Sequence, residues 1–167
     1  KAQVDLMALC VSCQASTLAA DVQEALNKII RLDEYVKNNS EYFDEHDRAM
    51  AMALKTFIDV LYLLCYTKNY NWAIKLYNSL SEYKEALWYM TTPDSCAKYL
   101  LSASIIWHNC AKNKKYGDRR NENENCYKFA VDAMQIAWIS GQEYLQNQAK
   151  IISDYIYYDV RGEFRDT

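Results

Sequence analysis

Proline and glycine are nearly missing from this chain of 167 residues, which has one proline, Pro93, and three glycines, Gly117, Gly141 and Gly162. Strand-rich folds reverse direction often, and their tight turns draw on these two residues. The scarcity argues against many short strands and for long helices with few connections. An excess of charge of one sign is also lacking: 19 Lys and Arg stand against 22 Asp and Glu, a net charge of -3. Binding to a phosphate backbone calls for a basic surface, so nucleic acid is not expected as the main partner. No uninterrupted apolar run reaches the roughly 18 residues of a membrane span, and none is expected. The opening residues, Lys1-Ala2-Gln3-Val4-Asp5, carry neither a signal-peptide pattern nor an initiator Met. The expectation is a cytoplasmic or nuclear protein, and a fragment or processed form of a longer chain.

What is present is apolar: 51% of the residues are hydrophobic and 14% aromatic, with fifteen tyrosines. That is enough for a sizeable core in a single domain spanning residues 1–167. The apolar residues recur at three- and four-residue intervals, the mark of amphipathic helices. Val22, Ala25, Leu26, Ile29, Ile30 and Leu32 form one such stripe after Asp21. The reading is an all-α chain of about seven helices. They cover Val4 to Thr17, Asp21 to Val36, Glu41 to Thr67, Asn71 to Met90, Cys96 to Lys112, Glu124 to Ile139, and Gln142 to Val160. Lys68-Asn69 marks a short turn, and Thr92-Pro93-Asp94 is the clearest boundary, with Pro93 at or near a first helical position. Gly141 and Gly162 stand just past helix ends, where a left-handed residue is often needed. The polar run from Asn113 to Asn125 reads as an exposed loop.

Local chemistry is sparse. Cys10-x-x-Cys13 lies inside an apolar helical run and has no second ligand pair, so core packing is favoured over a redox or zinc site. Cys65, Cys96, Cys110 and Cys126 also lie among apolar residues, and all six cysteines are read as reduced thiols. His108 is two residues from Cys110, so the two point to different helix faces. His46, among Asp44, Glu45 and Asp47, reads as part of a solvated face. The only basic cluster, Lys112, Lys114, Lys115, Arg119 and Arg120, is partly neutralised by Asp118, Glu122 and Glu124. Nucleophile elbows, phosphate-binding glycine loops and kinase signatures are absent. Neither catalysis nor a metal or other cofactor is expected.

One segment, Phe57 to Leu80, resembles a tetratricopeptide repeat. Ala73 holds the place of the small residue early in the second helix, with Tyr70 three before it and Tyr77 four after it. Phe57, Val60, Leu61 and Leu64 fall on the buried places of the first helix, while Leu61 and Leu80 depart from the small residues usual at theirs. Weaker echoes occur around Ala25, from Cys126 to Ala137, and from Tyr155 to Phe164, at irregular spacing. The resemblance implies antiparallel helix pairs stacked as an α-solenoid, a protein–protein interaction scaffold that holds a partner segment in a groove. The groove-facing places it implies are Lys55, Ile58, Tyr62, Cys65 and Tyr66. These lack the lysine and asparagine pattern that relatives use to clamp a terminal carboxylate. The implied partner is an internal, partly hydrophobic protein or peptide segment, with Tyr62 as an anchor. The alternatives are a self-associating helical module, hence a homo-oligomer, and an all-helical enzyme whose site is assembled from distant residues.

Overall fold

The computed structural model describes residues 2–113, 120–151, 153 and 154. Every regular element among them is helical. The chain falls into two compact units, Lys1–Thr92 and Pro93–Thr167, divided at the Thr92-Pro93 boundary.

In the first unit, α1 (Ala2–Leu18) and α2 (Val22–Asn38) pair through a short turn. Asp21 caps α2 by accepting a hydrogen bond from the Glu24 amide, 3.2 Å away. Four of the six residues of the expected stripe, Ala25, Leu26, Ile29 and Leu32, are buried in α2 together with Val36, whereas Val22 is half-buried and Ile30 is exposed. Lys28 ties the pair together, donating to Ser16 Oγ at 2.8 Å and to the Ser12 carbonyl at 3.3 Å.

The long helix expected from Glu41 to Thr67 is broken. A short α3 (Ser40–Glu45) ends at His46, and α4 (Asp47–Tyr66) starts there. His46 leaves the helical region (φ -129°, ψ 85°). Its ring stacks on Tyr42 with centroids 4.1 Å apart, and its Nδ1 lies 2.7 Å from the Tyr42 carbonyl oxygen. Tyr35 and Tyr42 both meet Phe43 edge-on, which seats α3.

The helix α4 is the hub of this unit. It packs against α1, α2, α3, α5 and α6, so its buried residues are not confined to one stripe. By length and hydropathy alone α4 would be long and apolar enough to cross a membrane. Most of it is buried here, and its two mid-helix charges, Lys55 and Asp59, pair at 2.9 Å.

The expected return helix from Asn71 to Met90 is likewise divided, into α5 (Tyr70–Leu80), a 3₁₀ turn (Ser81–Tyr83) and α6 (Lys84–Met90). Ser81 Oγ donates to the Asn78 carbonyl at 2.6 Å, offering that oxygen a partner outside the helix ladder. Ala73 in α5 is fully buried, as are Val60, Leu61 and Leu64 in α4. The antiparallel α4–α5 pair is therefore closed at the positions the repeat segment marks.

In the second unit, α7 (Pro93–Lys112) begins with Pro93, where a missing amide hydrogen costs nothing. It packs along α8 (Arg120–Ile139), with small residues buried on both helices, including Ala97, Ala103, Ser104, Ala130, Ala133 and Ala137. Ser104 Oγ donates to the Cys126 carbonyl at 2.8 Å, and the Cys126 thiol donates to the Ser104 carbonyl. This reciprocal pin needs the close backbone approach that small residues permit. Of the expected loop from Asn113 to Asn125, residues 120–125 are instead the first turns of α8, with Glu122 and Asn123 buried. Glu122 also sits in the first turn, where a carboxylate favours the positive end of the helix dipole. Residues 143–151 form a further helix. The echo from Tyr155 to Phe164, Gly162, and the loop cluster Lys114, Lys115 and Arg119 lie outside the described residues.

Candidate functional site

The five groove places implied by the repeat resemblance lie on α4 but do not form one open surface. Lys55 is exposed and bound to Asp59. Tyr66 is exposed, Tyr62 is half-buried, and their rings lie 4.4 Å apart. Ile58 (0% exposed) and Cys65 (2%) belong to the core. The assignment of Ile58 and Cys65 to a partner-binding face is therefore corrected. A helix packed on one side leaves its other face open, whereas α4 has neighbours on several sides.

An open groove of this unit lies elsewhere, between α2 and α5, with a volume of about 380 Å³. Leu26, Ile29 and Leu64 lie at its base, with Leu64 reaching up from α4. The α2 wall carries Ile30, Asp33, Glu34 and Lys37, and the α5 wall carries Trp72, Lys75, Leu76 and Ser79. Both sets follow three- and four-residue steps, so each wall is one helix face turned toward the gap. Ile30 (42% exposed) and Trp72 (43%) are large apolar side chains left at the surface here.

The charges sit at the rim. Asp33 and Lys37 pair at 2.9 Å, and that hydrogen bond raises the Lys37 ammonium above its ordinary pKa. The Lys75 ammonium stands 4.6 Å from the Trp72 ring centroid, a cation–π contact that holds the indole against the groove wall. Tyr83 lies near the same acidic edge. Burial raises its phenol pKa first, and the nearby Asp33, Glu82 and Asp44 add to the rise.

A second hollow of about 670 Å³ lies among α3, α4, the 3₁₀ turn and α6. Phe43, Met50, Ala86 and Met90 line it, together with Asp44, Asp47, Glu82 and Glu85. Among the described residues no cluster of three or more His, Cys, Asp or Glu is arranged to hold a metal ion.

The Cys10-x-x-Cys13 pair lies in the α1 core, at 1% and 0% exposure. Burial raises both thiols, Cys13 to about 12, and the Cys13 thiol donates to the Ala25 carbonyl. A protonated, enclosed thiol is a poor nucleophile and a poor metal ligand. None of the six cysteines forms a disulfide among the described residues.

Sequence reasoning missed the α2–α5 groove because its walls come from separate helix pairs. One signal was available. Ile30 and Trp72 extend the apolar faces of α2 and α5 beyond what a single helix–helix contact covers.

No protein-family model, no curated protein and no solved structure matches this chain.

Proposed function

We propose that the first unit is a protein-binding module of stacked, tetratricopeptide-like helix pairs, and that it takes a partner segment in the groove between α2 and α5. The observation that carries this reading is the apolar gap itself. Ile30 and Trp72 are exposed beside a base of Leu26, Ile29 and Leu64, under a rim of charge. Aromatic and aliphatic side chains in a concave, desolvated setting are where binding energy concentrates. The packing of α4 on both α1 and α2, with α5 folded back on α4, supports the stacked-pair arrangement.

The site thus differs from the α4 face that the family resemblance implies, although the partner keeps the same chemistry, a partly hydrophobic protein segment. The test compares the wild type with Ile30→Glu and Leu76→Glu, each checked for unchanged helicity, in capture of binding proteins. A partner lost with both groove variants, retained by Tyr89→Ala, and protecting α2 and α5 amides from hydrogen exchange supports the proposal. Partners that bind the folded groove variants as well as the wild type refute it.

A second reading, self-association, draws on α1, whose exposed face includes Met7, Val11 and Leu18. Light scattering over a concentration series tests it. A mass that doubles, and that Val11→Lys returns to the monomer value, supports this reading; a constant monomer mass refutes it.

A further inference from the structure

Resting on the groove reading above, we infer that the occupant is an amphipathic helix of a partner protein, bearing basic residues on the flank that meets α2 and acidic residues on the flank that meets α5. The first part follows from hydrogen bonding. Both walls of the groove are helices whose backbone groups are already paired within the helix, and the base is the side chains of Leu26, Ile29 and Leu64. An extended segment laid there would press many of its amide and carbonyl groups against the apolar base, with polar side chains only along the rim to pair them. Each such group costs on the order of 1–3 kcal/mol. A helix satisfies its backbone internally and presents only side chains, so it enters without that cost. The walls also match a helix in length. The α2 wall runs from Ile30 to Lys37 and the α5 wall from Trp72 to Ser79, each roughly 10 Å at about 1.5 Å per residue, or about two turns.

The second part follows from the rim charges. On the α2 side Asp33 and Lys37 neutralise one another, which leaves Glu34 as the carboxylate with no ion pair among the described residues. On the α5 side Lys75 is the only charged residue of that helix, and its ammonium rests on the Trp72 ring with no carboxylate partner among the described residues. The groove is therefore negative along one wall and positive along the other. A helix seated in it gains from a cation beside Glu34 and an anion beside Lys75. Reversing its direction would exchange the flanks and place like charges together. The pair of charges thus sets chain direction as well as partner choice, the usual role of rim charges at an interface.

The experiment uses the full chain and four synthetic peptides of about 14 residues that share one apolar helical stripe. One has a basic flank and an acidic flank, one has two acidic flanks, and one has two basic flanks. The fourth is the first peptide with a central proline. Binding is read from the Trp72 indole resonance, identified with Trp72→Phe. The expected result is that the mixed-flank peptide binds about three- to tenfold tighter than either single-sign peptide. That preference should vanish in the Glu34→Gln/Lys75→Gln double variant, and the proline version should bind least. Equal binding of the three uninterrupted peptides overturns the charge assignment. Equal binding of the proline version overturns the helical one, and failure of all four to move the Trp72 resonance overturns both. None of these outcomes touches the docking reading, which stands or falls on the Ile30→Glu and Leu76→Glu capture experiment.

Discussion

Three helix ends in this protein share one hydrogen-bond pattern, and only one of them uses glycine. After α8, the Gln142 amide donates to Ala137 and the Gly141 amide to Trp138, with Gly141 at φ +72°. After α1, the Asp21 amide donates to Ser16 and the Ala20 amide to Thr17, with Ala20 at φ +54°. After α4, the Asn69 amide donates to Leu64 and the Lys68 amide to Cys65, with Lys68 at φ +61°. All three are Schellman caps, which need a left-handed residue. For a residue with a Cβ that conformation costs roughly 1–2 kcal/mol. Glycine removes the cost but returns about 0.4–1 kcal/mol through the greater freedom of its unfolded chain. Ala20 and Lys68 are exposed, so little packing is lost with their side chains. Ala20→Gly and Lys68→Gly should each stabilise the first unit by about 0.5–1 kcal/mol, or about 2–8 °C in Tm for a unit of this size. Gly141→Ala should destabilise by a similar amount through backbone strain alone, since an added Cβ meets nothing within 4 Å. Urea titration followed by circular dichroism measures all three. At position 68 the order of stability should run Gly, then Asn, then the native Lys, then Val, as tolerance of positive φ falls. If Lys68→Val is as stable as the wild type while Lys68→Gly is weaker, the left-handed cap is wrong.

Two further outcomes follow from burial. Ile58→Ala should cost about 2–5 kcal/mol by leaving a cavity in the α4 core, whereas Tyr66→Ala should fall within about 1 kcal/mol. Equal effects in thermal melts would show that Ile58 lies on an open face after all. Cys13 titrates near 8.5 when unfolded and at about 12 when folded. Because its folded value is the higher, its contribution is whole below pH of about 8.5 and declines as the pH rises toward 12. The urea midpoint of the wild type should therefore fall more steeply with alkaline pH than that of Cys13→Ala; parallel slopes would mean that the thiol is not desolvated.

Much of the local architecture was legible because its causes are local. The stripe of α2, the Lys68-Asn69 turn, Pro93 opening α7 and Gly141 closing α8 each depend on residues within a turn or two of one another. The spacing within Phe57 to Leu80 also pointed to Ala73, Val60 and Leu64 as interior residues, and all three are buried. The sequence did not reveal the break at His46, where an otherwise continuous helical pattern yields to a ring stack on Tyr42. Nor did composition foretell the burial of Glu122 and Asn123, in a run whose polarity reads as loop.

The candidate site was the least legible part. From one helix pair, Ile58 and Cys65 fall on a free face. Only the tertiary structure shows that α4 is surrounded, and that the opening lies between α2 and α5, helices more than thirty residues apart in the chain. Periodicity determines which side of each helix is apolar. Which apolar side stays uncovered is decided by how many neighbours each helix acquires, and that depends on contacts between segments distant in sequence.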